Sequence, residues 1–381
     1  MSNKKKTIIF ISNESKLFGA PKILLNIIKY FHSIQKYNVL VICPIEGPLK
    51  TVLDQSGIPT LMPECLRDYY NHVSHPTKLF IQILRRAYDN ILVLLYFTQF
   101  LLKIPNRVIY ANTSVVRYVA LPAIITRTRL LWHIEEYFKT PLKNIFHSLL
   151  IGLCADKIIV RSTNLISHLK LPKSALKKIV VFQYFPIFEQ KVYDFKKAGK
   201  PSYDLIFAGR ISLEKGVLDL LKAINNYVKI NDKIKVLIIG SFLEKDKTAI
   251  LDYFSKHELN TYVEFHDFDP EIDSYLSDSK VVVLPSYREN IPVILLEAVM
   301  LERPIICTNV GTIRNLVTPN KNGIIINAGD VQGLSTAIKQ ILDDQYYDRY
   351  LAGAKDKKKE FLLDTSTYIK LKEMIDDPRS K

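Results

Sequence analysis

The chain has 381 residues, of which 48% are hydrophobic and 24% charged, so it is long enough for two α/β domains that each bury a core. The four cysteines (Cys43, Cys65, Cys154 and Cys307) lie far apart without any CxxC spacing, which argues against a disulfide framework and a zinc site. Residues 1–190 hold 25 basic and 10 acidic residues, while the remainder holds 28 of each. The whole excess of +15 therefore lies in the first half and predicts an anionic partner for it.

Short β-branched runs alternate with amphipathic stretches in the first half, which is typical of βα units. We predict strands at 7–12, 37–43, 107–112, 129–133, 156–162 and 178–183, and helices at 21–32, within 77–103 and at 140–155. The first apolar run is too short for a signal peptide. The most apolar segment, Ile91–Ile104, is too short to span a bilayer. We therefore expect a soluble or membrane-attached chain.

The pattern breaks at 184–202, which we interpret as a linker, and then resumes. Further strands are predicted at 204–209, 235–240, 262–267, 280–286, 304–308 and 323–327. The predicted organisation is an N-terminal Rossmann-like domain (1–183), the linker, a C-terminal Rossmann-like domain (203–342), and helices over 343–381 that pack back toward the N-terminal domain. The fold class is thus α/β with two facing doubly wound domains, whose ligands bind beyond the carboxyl ends of the strands.

Two motifs in the second half carry candidate chemistry. Gly209-Arg210 ends a strand, and Lys215-Gly216 then opens a helix. A glycine turn, two cations and a helix N-terminus suit a diphosphate, although a capped helix with two solvated cations is the alternative. Glu289 and Glu297 follow a later strand in an E-x7-E spacing. They could accept hydrogen bonds from sugar hydroxyls, although this spacing also arises by chance.

The second half also resembles a known family. The runs that carry the resemblance are FAGRISLEKG (207–216), VVVLPSYRENIPVILLEAVM (281–300), RPIICTNVGTIRNLV (303–317) and NKNGIIIN (320–327). In this order they are similar to the donor domain of family-4 retaining glycosyltransferases (glycosyl transferases group 1). Those enzymes have the GT-B fold, and the likeness covers 204–342.

The resemblance implies roles for the motif residues. Arg210 and Lys215 would bind the donor diphosphate, and Glu289 would contact the transferred sugar. The backbone of Asn290, Ile291 and Pro292 would lie near the sugar and phosphates, and Glu297 would hydrogen-bond the ribose hydroxyls. The chain departs from the family at Thr312, at Arg314-Asn315 and at Asp267. These departures leave the identity of the donor open.

Residues of the first half are matched more sparsely. Gly19-Ala20 before a helix resembles the family's N-terminal turn, and Pro21 fits the first helical turn. His133 ends a strand where the family places a histidine against the transferred sugar; the alternative is a capped or surface histidine. Asn112 ends another strand and is a candidate for lining the cleft. Glu135 and Glu136 would orient the acceptor or be solvated, and we favour solvation for at least one.

Asp267-Phe268-Asp269 matches a DxD metal pattern, but a solvated loop is the favoured interpretation because two cations already serve the phosphates. We expect no metal, and no cofactor apart from the nucleotide-sugar substrate. The stretch 78–107 combines an apolar face with Arg85, Arg86, Lys103 and Arg107. It is either a core helix, which periodicity alone favours, or an amphipathic helix on an anionic membrane, toward which the basic first half modestly shifts the balance.

These observations predict an enzyme that transfers a hexose-type sugar from a UDP- or GDP-linked donor to a glycan or polyprenyl-linked acceptor. The setting would be bacterial cell-surface polysaccharide synthesis, in the cytoplasm or peripherally at the inner face of the membrane. The expected mechanism is domain closure over the donor and same-face attack with retention. The alternatives are a nucleotide-sugar epimerase or a phosphorylase on the same fold, and a degenerate transferase that only binds a partner. A nucleic-acid-binding protein is disfavoured because basic and aromatic residues are not interleaved.

Overall fold

The computed structural model describes residues 5–17, 19–66, 79–138, 140–182, 201–231, 233–269, 272–289, 292–311, 313–363 and 366–377. The chain forms two compact units. The N-terminal unit comprises Met1–Phe188 together with Thr365–Lys381, and the C-terminal unit comprises Glu189–Asp364. The predicted linker falls almost wholly outside the described residues.

The N-terminal unit contains a parallel sheet with helices on its faces. Its strands are β1 (Thr7–Ile11), β2 (Asn38–Ile42), β3 (Thr60–Leu61), β4 (Arg107–Asn112), β5 (Arg129–Ile134), β6 (Lys157–Val160) and β7 (Ile179–Val181). Its helices are α1 (Ala20–Ser33), α2 (Pro48–Gln55), α3 (Leu79–Lys103), α4 (Ala120–Ile125), α5 (Pro141–Cys154), α6 (Thr163–His168) and α7 (Lys173–Leu176). A 3-10 helix spans Ser114–Val119.

The C-terminal unit repeats this architecture. Its strands are β8 (Tyr203–Ala208), β9 (Val236–Ile239), β10 (Val263–His266), β11 (Ser279–Leu284), β12 (Ile305–Thr308) and β13 (Gly323–Ile326). Its helices are α8 (Val217–Val228), α9 (Glu244–Lys256), α10 (Ile272–Ser277), α11 (Val293–Met300), α12 (Val331–Leu342) and α13 (Asp344–Leu363). Short 3-10 helices span Leu259–Thr261 and Ile313–Asn315.

Both sheets have the doubly wound strand order. The N-terminal sheet runs β3-β2-β1-β4-β5-β6-β7 and the C-terminal sheet β10-β9-β8-β11-β12-β13, with parallel pairing throughout. The strand interiors are almost continuously buried, as expected for parallel strands covered on both faces. The predicted α/β class with two doubly wound sheets is confirmed. The order reverses between β1 and β4 and between β8 and β11, and ligands bind at such switch points.

The C-terminal helices divide between the units. In α13, Lys358 Nζ lies 3.0 Å from Glu302 Oε1 of the C-terminal unit. The last helix, α14 (Ser366–Asp376), belongs to the N-terminal unit. There the ring of Tyr368 stacks on that of Tyr30 with centroids 4.2 Å apart, and Lys36 Nζ lies 2.7 Å from Asp376. The last described helix therefore packs on the N-terminal unit through contacts at both of its ends.

Candidate active site

The switch point of the C-terminal sheet brings together the loops that follow β8 and β11. Gly216, the N-cap of α8, has a left-handed backbone with φ of 73°. A Cβ added there would lie 2.0 Å from the carbonyl oxygen of Pro285. Only glycine combines this conformation with so close an approach. The Tyr287 amide also donates to the Glu214 carbonyl at 3.0 Å, so the two loops form one structure.

Lys215 and Glu289 form an ion pair across these loops. Lys215 Nζ lies 2.5 Å from Glu289 Oε1, and Ser286 Oγ donates to the same oxygen at 2.8 Å. The Glu289 side chain is only 9% exposed and that of Lys215 30%. The carboxylate is therefore held in place and neutralises the lysine. The sequence selected both residues but did not indicate that they contact each other.

Arg210 is the exposed cation of the site. It follows Gly209 at the end of β8 and has no ion pair with any residue that the structure describes. The N-terminus of α8 lies six residues further on and supplies backbone amides with partial positive charge. Tyr287 Oη donates to Asp219 in the first turn of α8 at 2.7 Å, which ties the second loop to the same helix. The arrangement suits an anionic ligand.

The remaining predicted donor-site residues lie near α11. Pro292 is the buried N-cap of this helix, and Glu297 lies in its second turn with 3% exposure. Asn290, Ile291 and Thr312 lie outside the described residues. Arg314 Nε donates to Asn309 Oδ1 at 3.1 Å beyond the end of β12.

The carboxyl edge of the N-terminal sheet carries the other predicted residues. Gly19 precedes α1 with φ of 61°, and Ala20 begins the helix. Asn112 ends β4 wholly buried, and its Nδ2 donates to Asn13 Oδ1 at 3.4 Å. In the parallel register Asn112 lies opposite His133 of β5. The structure thus places Asn112 and His133 side by side, one strand beyond the switch point.

His133 is wholly buried between two polar partners. Its Nδ1 lies 3.0 Å from Tyr110 Oη and its Nε2 lies 3.4 Å from Glu135 Oε1. Burial, and next the charge of Arg161, lower the pKa of His133 to about 3, so the ring is neutral at physiological pH. The carboxylate beside Nε2 favours a proton on that nitrogen, and Nδ1 then accepts from Tyr110.

Arg161, which follows β6, completes this cluster and was not predicted. It is 2% exposed, and its Nη1 lies 3.5 Å from Glu135 Oε2. Its Nε and Nη2 have no hydrogen-bond partner among the described residues. Burial raises the pKa of Glu135 against the opposing charge of Arg161. In the sequence, the only indication that Arg161 could be a functional residue is that a cation directly follows an apolar strand.

Glu136 has a different role from its neighbour. It accepts hydrogen bonds from the Ser114 amide at 2.9 Å and from the Glu135 amide at 3.1 Å. These contacts fix the start of the 3-10 helix that follows β4. Neither glutamate is a solvated surface group, in contrast to the interpretation of at least one of them from sequence.

The DxD sequence forms part of an ordinary loop contact. Tyr275 Oη donates to Asp269 Oδ2 at 3.2 Å. Across the described ranges, no group of three or more histidine, cysteine, aspartate or glutamate side chains is placed to hold a metal ion. No helix in the described part of the chain combines the length and apolar character needed to cross a bilayer.

Known proteins resemble this chain in two ways. The family described as Glycosyl transferases group 1 matches residues 190–359, which include both loops of the C-terminal switch point. The match covers nearly all of the C-terminal unit. The match confirms the predicted resemblance of the second half to this family, and it begins near the predicted start of the second domain.

Curated relatives match over the same half. The capsular polysaccharide biosynthesis glycosyltransferase CapM of Staphylococcus aureus is 27% identical over 168 residues, which are 44% of each chain. Glycogen synthase of Mycobacterium tuberculosis is 28% identical over 143 residues, or 37% of this chain and 34% of the relative. The matched region therefore spans less than half the length of these relatives.

Solved structures match nearly the whole chain. HepE of Anabaena, crystallised in complex with UDP and glucose, has a TM-score of 0.77 and 19% identity, with 97% of this chain and 98% of that chain covered. The lipopolysaccharide outer core galactosyltransferase WaaB has a TM-score of 0.65 and 17% identity, with 97% and 99% covered. At these identities the likeness establishes the GT-B fold class.

Proposed function

We propose that this chain is a retaining glycosyltransferase that moves a hexose-type sugar from a nucleotide-sugar donor to a glycan or lipid-linked glycan acceptor. The observation that carries the proposal is the coincidence of the family match with a built anion site. Lys215, at the N-terminus of α8, contacts Glu289 at the switch point, and Arg210 follows β8 at the same edge of the sheet, all within the matched residues. The crystal structures of HepE with UDP and with UDP-glucose support UDP as the first nucleotide to test.

In this proposal each residue of the site has its own role in the transfer reaction. The bond between the anomeric carbon and the diphosphate breaks, and a bond to the acceptor oxygen forms on the same face of the sugar. The proton of the acceptor hydroxyl passes to an oxygen of the departing diphosphate on that face. Arg210 and Lys215 stabilise the negative charge that accumulates on the departing diphosphate, so they contribute most in the transition state. Glu289 accepts hydrogen bonds from the sugar, and Glu297 from the ribose hydroxyls. The acceptor is assigned to the N-terminal unit, whose polar edge includes Asn112.

The proposed biological setting rests on the names of the relatives and on the charge of the N-terminal unit. Relatives such as CapM and the putative teichuronic acid biosynthesis glycosyltransferase TuaC of Bacillus subtilis are named for cell-surface polysaccharides. We place this chain in a comparable bacterial pathway, in the cytoplasm and peripherally attached to the inner face of the membrane. The basic N-terminal unit is the part proposed to meet the anionic membrane.

Calorimetric titration of the full chain with UDP and with GDP tests the donor site directly. We expect micromolar binding of one nucleotide, weakened about tenfold or more by Arg210→Ala, because a charge-assisted hydrogen bond contributes roughly 1.5–3 kcal/mol. Glu297→Gln should also weaken binding. Arg349→Ala is the matched control, since Arg349 is an exposed arginine on α13 of the same unit.

The outcomes separate the proposal from its rivals. Nucleotide binding that is unaffected by Arg210→Ala, or no binding of either nucleotide, would overturn the assignment of the site. If the nucleotide binds, incubation with radiolabelled UDP-sugars and bacterial lipid extracts should transfer label to the extract. Conversion of the donor to its epimer without acceptor would identify an epimerase instead.

A further inference from the structure

Helix α5 exposes five of its apolar side chains and buries two polar ones. Leu142, Ile145, Phe146, Leu149 and Leu153 lie along one face and are 48–81% exposed. The inward face instead contains Asn144 and Ser148, which are 5% and 0% exposed. A helix on the surface of a globular protein ordinarily has the opposite arrangement.

The buried polar residues of α5 are satisfied by specific partners. Asn144 Nδ2 donates to the His168 carbonyl at 2.7 Å, and Ser148 Oγ donates to Asn144 Oδ1 at 2.9 Å. The Lys170 amide in turn donates to Ser148 Oγ at 3.0 Å. These hydrogen bonds fix the rotation of the helix about its axis, and this rotation turns the apolar face outward.

The neighbouring helix extends this apolar face. Leu121, Ile124 and Ile125 of α4 are 51–58% exposed, and α4 packs against α5. We call these three side chains and the five of α5 the α4–α5 face. Helix α3 also packs against α4 and exposes apolar side chains, including Ile91 and Leu95. Contiguous apolar surface of this extent usually marks an interaction site.

Positive charge surrounds the α4–α5 face. Arg117, Arg127 and Lys143 are exposed there. Burial, and next Arg117 and Lys143, lower the pKa of His147 on α5, so both cations lie within electrostatic range of that helix. Residues 90–156 contain seven basic residues and three acidic ones, Glu135, Glu136 and Asp156. Asp156 is exposed after α5 and accepts a hydrogen bond from the Leu130 amide at 2.8 Å. Both glutamates are held in the polar contacts at the edge of the sheet.

We propose that the α4–α5 face docks on the surface of an anionic lipid bilayer. Its leucine, isoleucine and phenylalanine side chains would enter the boundary between headgroups and acyl chains, while Arg117, Arg127 and Lys143 contact anionic headgroups. The inference deepens the membrane partner of the proposed function and rests on it for its biological sense. A second copy of the chain fits less well, because a twofold contact would bring the same cations together.

Flotation of the full chain with vesicles tests the docking surface. We expect binding to phosphatidylcholine vesicles that contain roughly 30% phosphatidylglycerol, with little binding to pure phosphatidylcholine and a decrease at high salt. Phe146→Ser combined with Leu149→Ser should abolish binding. Arg117→Gln combined with Lys143→Gln should weaken it about 30-fold, at roughly 1 kcal/mol for each cation removed.

The matched control is Ile230→Ser combined with Lys245→Gln, because both residues are exposed in the C-terminal unit. It should bind vesicles like the wild type. Absence of vesicle binding by the wild type, or equal binding by all variants, would overturn the proposal. A dimer in sedimentation that the Phe146 and Leu149 substitutions dissociate, without vesicle binding, would identify a second copy as the occupant. UDP calorimetry on the same variants separates failure of this surface from failure of the donor site.

Discussion

Glu289→Gln removes one charge from the donor site and changes its shape very little. In the structure Lys215 Nζ contacts Glu289 Oε1 at 2.5 Å, and Ser286 Oγ donates to the same oxygen. The glutamine oxygen can still accept from Ser286, so the loop should keep its conformation. The ammonium of Lys215 then loses its neutralising partner and becomes fully available to a diphosphate.

The expected size of the effect follows from the burial of the pair. Two unit charges about 4 Å apart interact by about 4 kcal/mol at an effective dielectric constant near 20. Lys215 is 30% exposed, so solvent reduces this value toward the roughly 1.5–3 kcal/mol of a charge-assisted hydrogen bond. A diphosphate recovers part of that energy when it no longer competes with Glu289. We therefore expect UDP to bind about three- to tenfold more tightly, or roughly 0.7–1.4 kcal/mol.

Calorimetry with UDP and a transfer assay on the same preparations measure both consequences. Binding should tighten in Glu289→Gln while transfer falls, because the substitution removes a proposed contact to the sugar. Glu214→Gln is the control, since it removes the charge of an exposed carboxylate from the same loop. Weaker UDP binding in Glu289→Gln would refute the reasoning and show that the ion pair holds the loop together. Equal tightening in both variants would indicate a general effect of net charge.

Three further predictions concern stability. Gly216→Ala should lower the free energy of unfolding in urea by at least about 2 kcal/mol and weaken UDP binding, because the new methyl group would meet Pro285. The control is Gly57→Ala, which should cost only about 1 kcal/mol because Gly57 has a φ of 66° and open space around it. Equal costs for the two variants would contradict the steric argument. His133 has a pKa of about 3 in the folded chain against an ordinary value of 6.5, so the unfolded chain binds the proton first. The contribution of neutral His133 to the free energy of unfolding should be fully present above pH 6.5 and should fall as the pH drops toward 3. Urea midpoints measured from pH 7 to 5 should show this decrease, and His133→Gln should make the decrease smaller. Arg161→Met should destabilise the chain by roughly 3–5 kcal/mol because it leaves Glu135 buried without its cation, and adding Glu135→Gln should restore most of the loss; a single variant as stable as the wild type would contradict the ion pair.

The strands were predictable because parallel strands covered on both faces produce continuous apolar runs. Each of the twelve predicted strands is present, with ends that shift by no more than two residues. The thirteenth, β3, consists of Thr60 and Leu61 alone and is too short to leave a pattern. It forms because β2 offers a free edge, as the register of Val41 with Thr60 shows. Such a strand depends on tertiary pairing rather than on its own residues.

The candidate site was predictable where a loop carries its own motif, and less so where strands far apart in sequence meet. Arg210, Lys215 and Glu289 were selected from local patterns, but the contact between Lys215 and Glu289 depends on β8 lying beside β11. Tyr110 and Arg161 were missed for a related reason. Each belongs to or follows an apolar strand that indicates core, and their contacts around His133 and Glu135 arise only when β4, β5 and β6 are aligned.

Helix α5 shows a further limit of sequence patterns. Its apolar residues recur with helical spacing, and this pattern correctly predicts a helix but also indicates that the apolar face turns toward the core. In the structure that face turns outward, because Asn144 and Ser148 bind backbone groups of His168 and Lys170 at the end of α6. The pattern records that one face is apolar and does not say which environment covers it. For α5, the exposed cations Arg117, Arg127 and Lys143 outnumber the single exposed carboxylate among the described residues nearby, Asp156, and this balance favours an anionic lipid surface over a protein core.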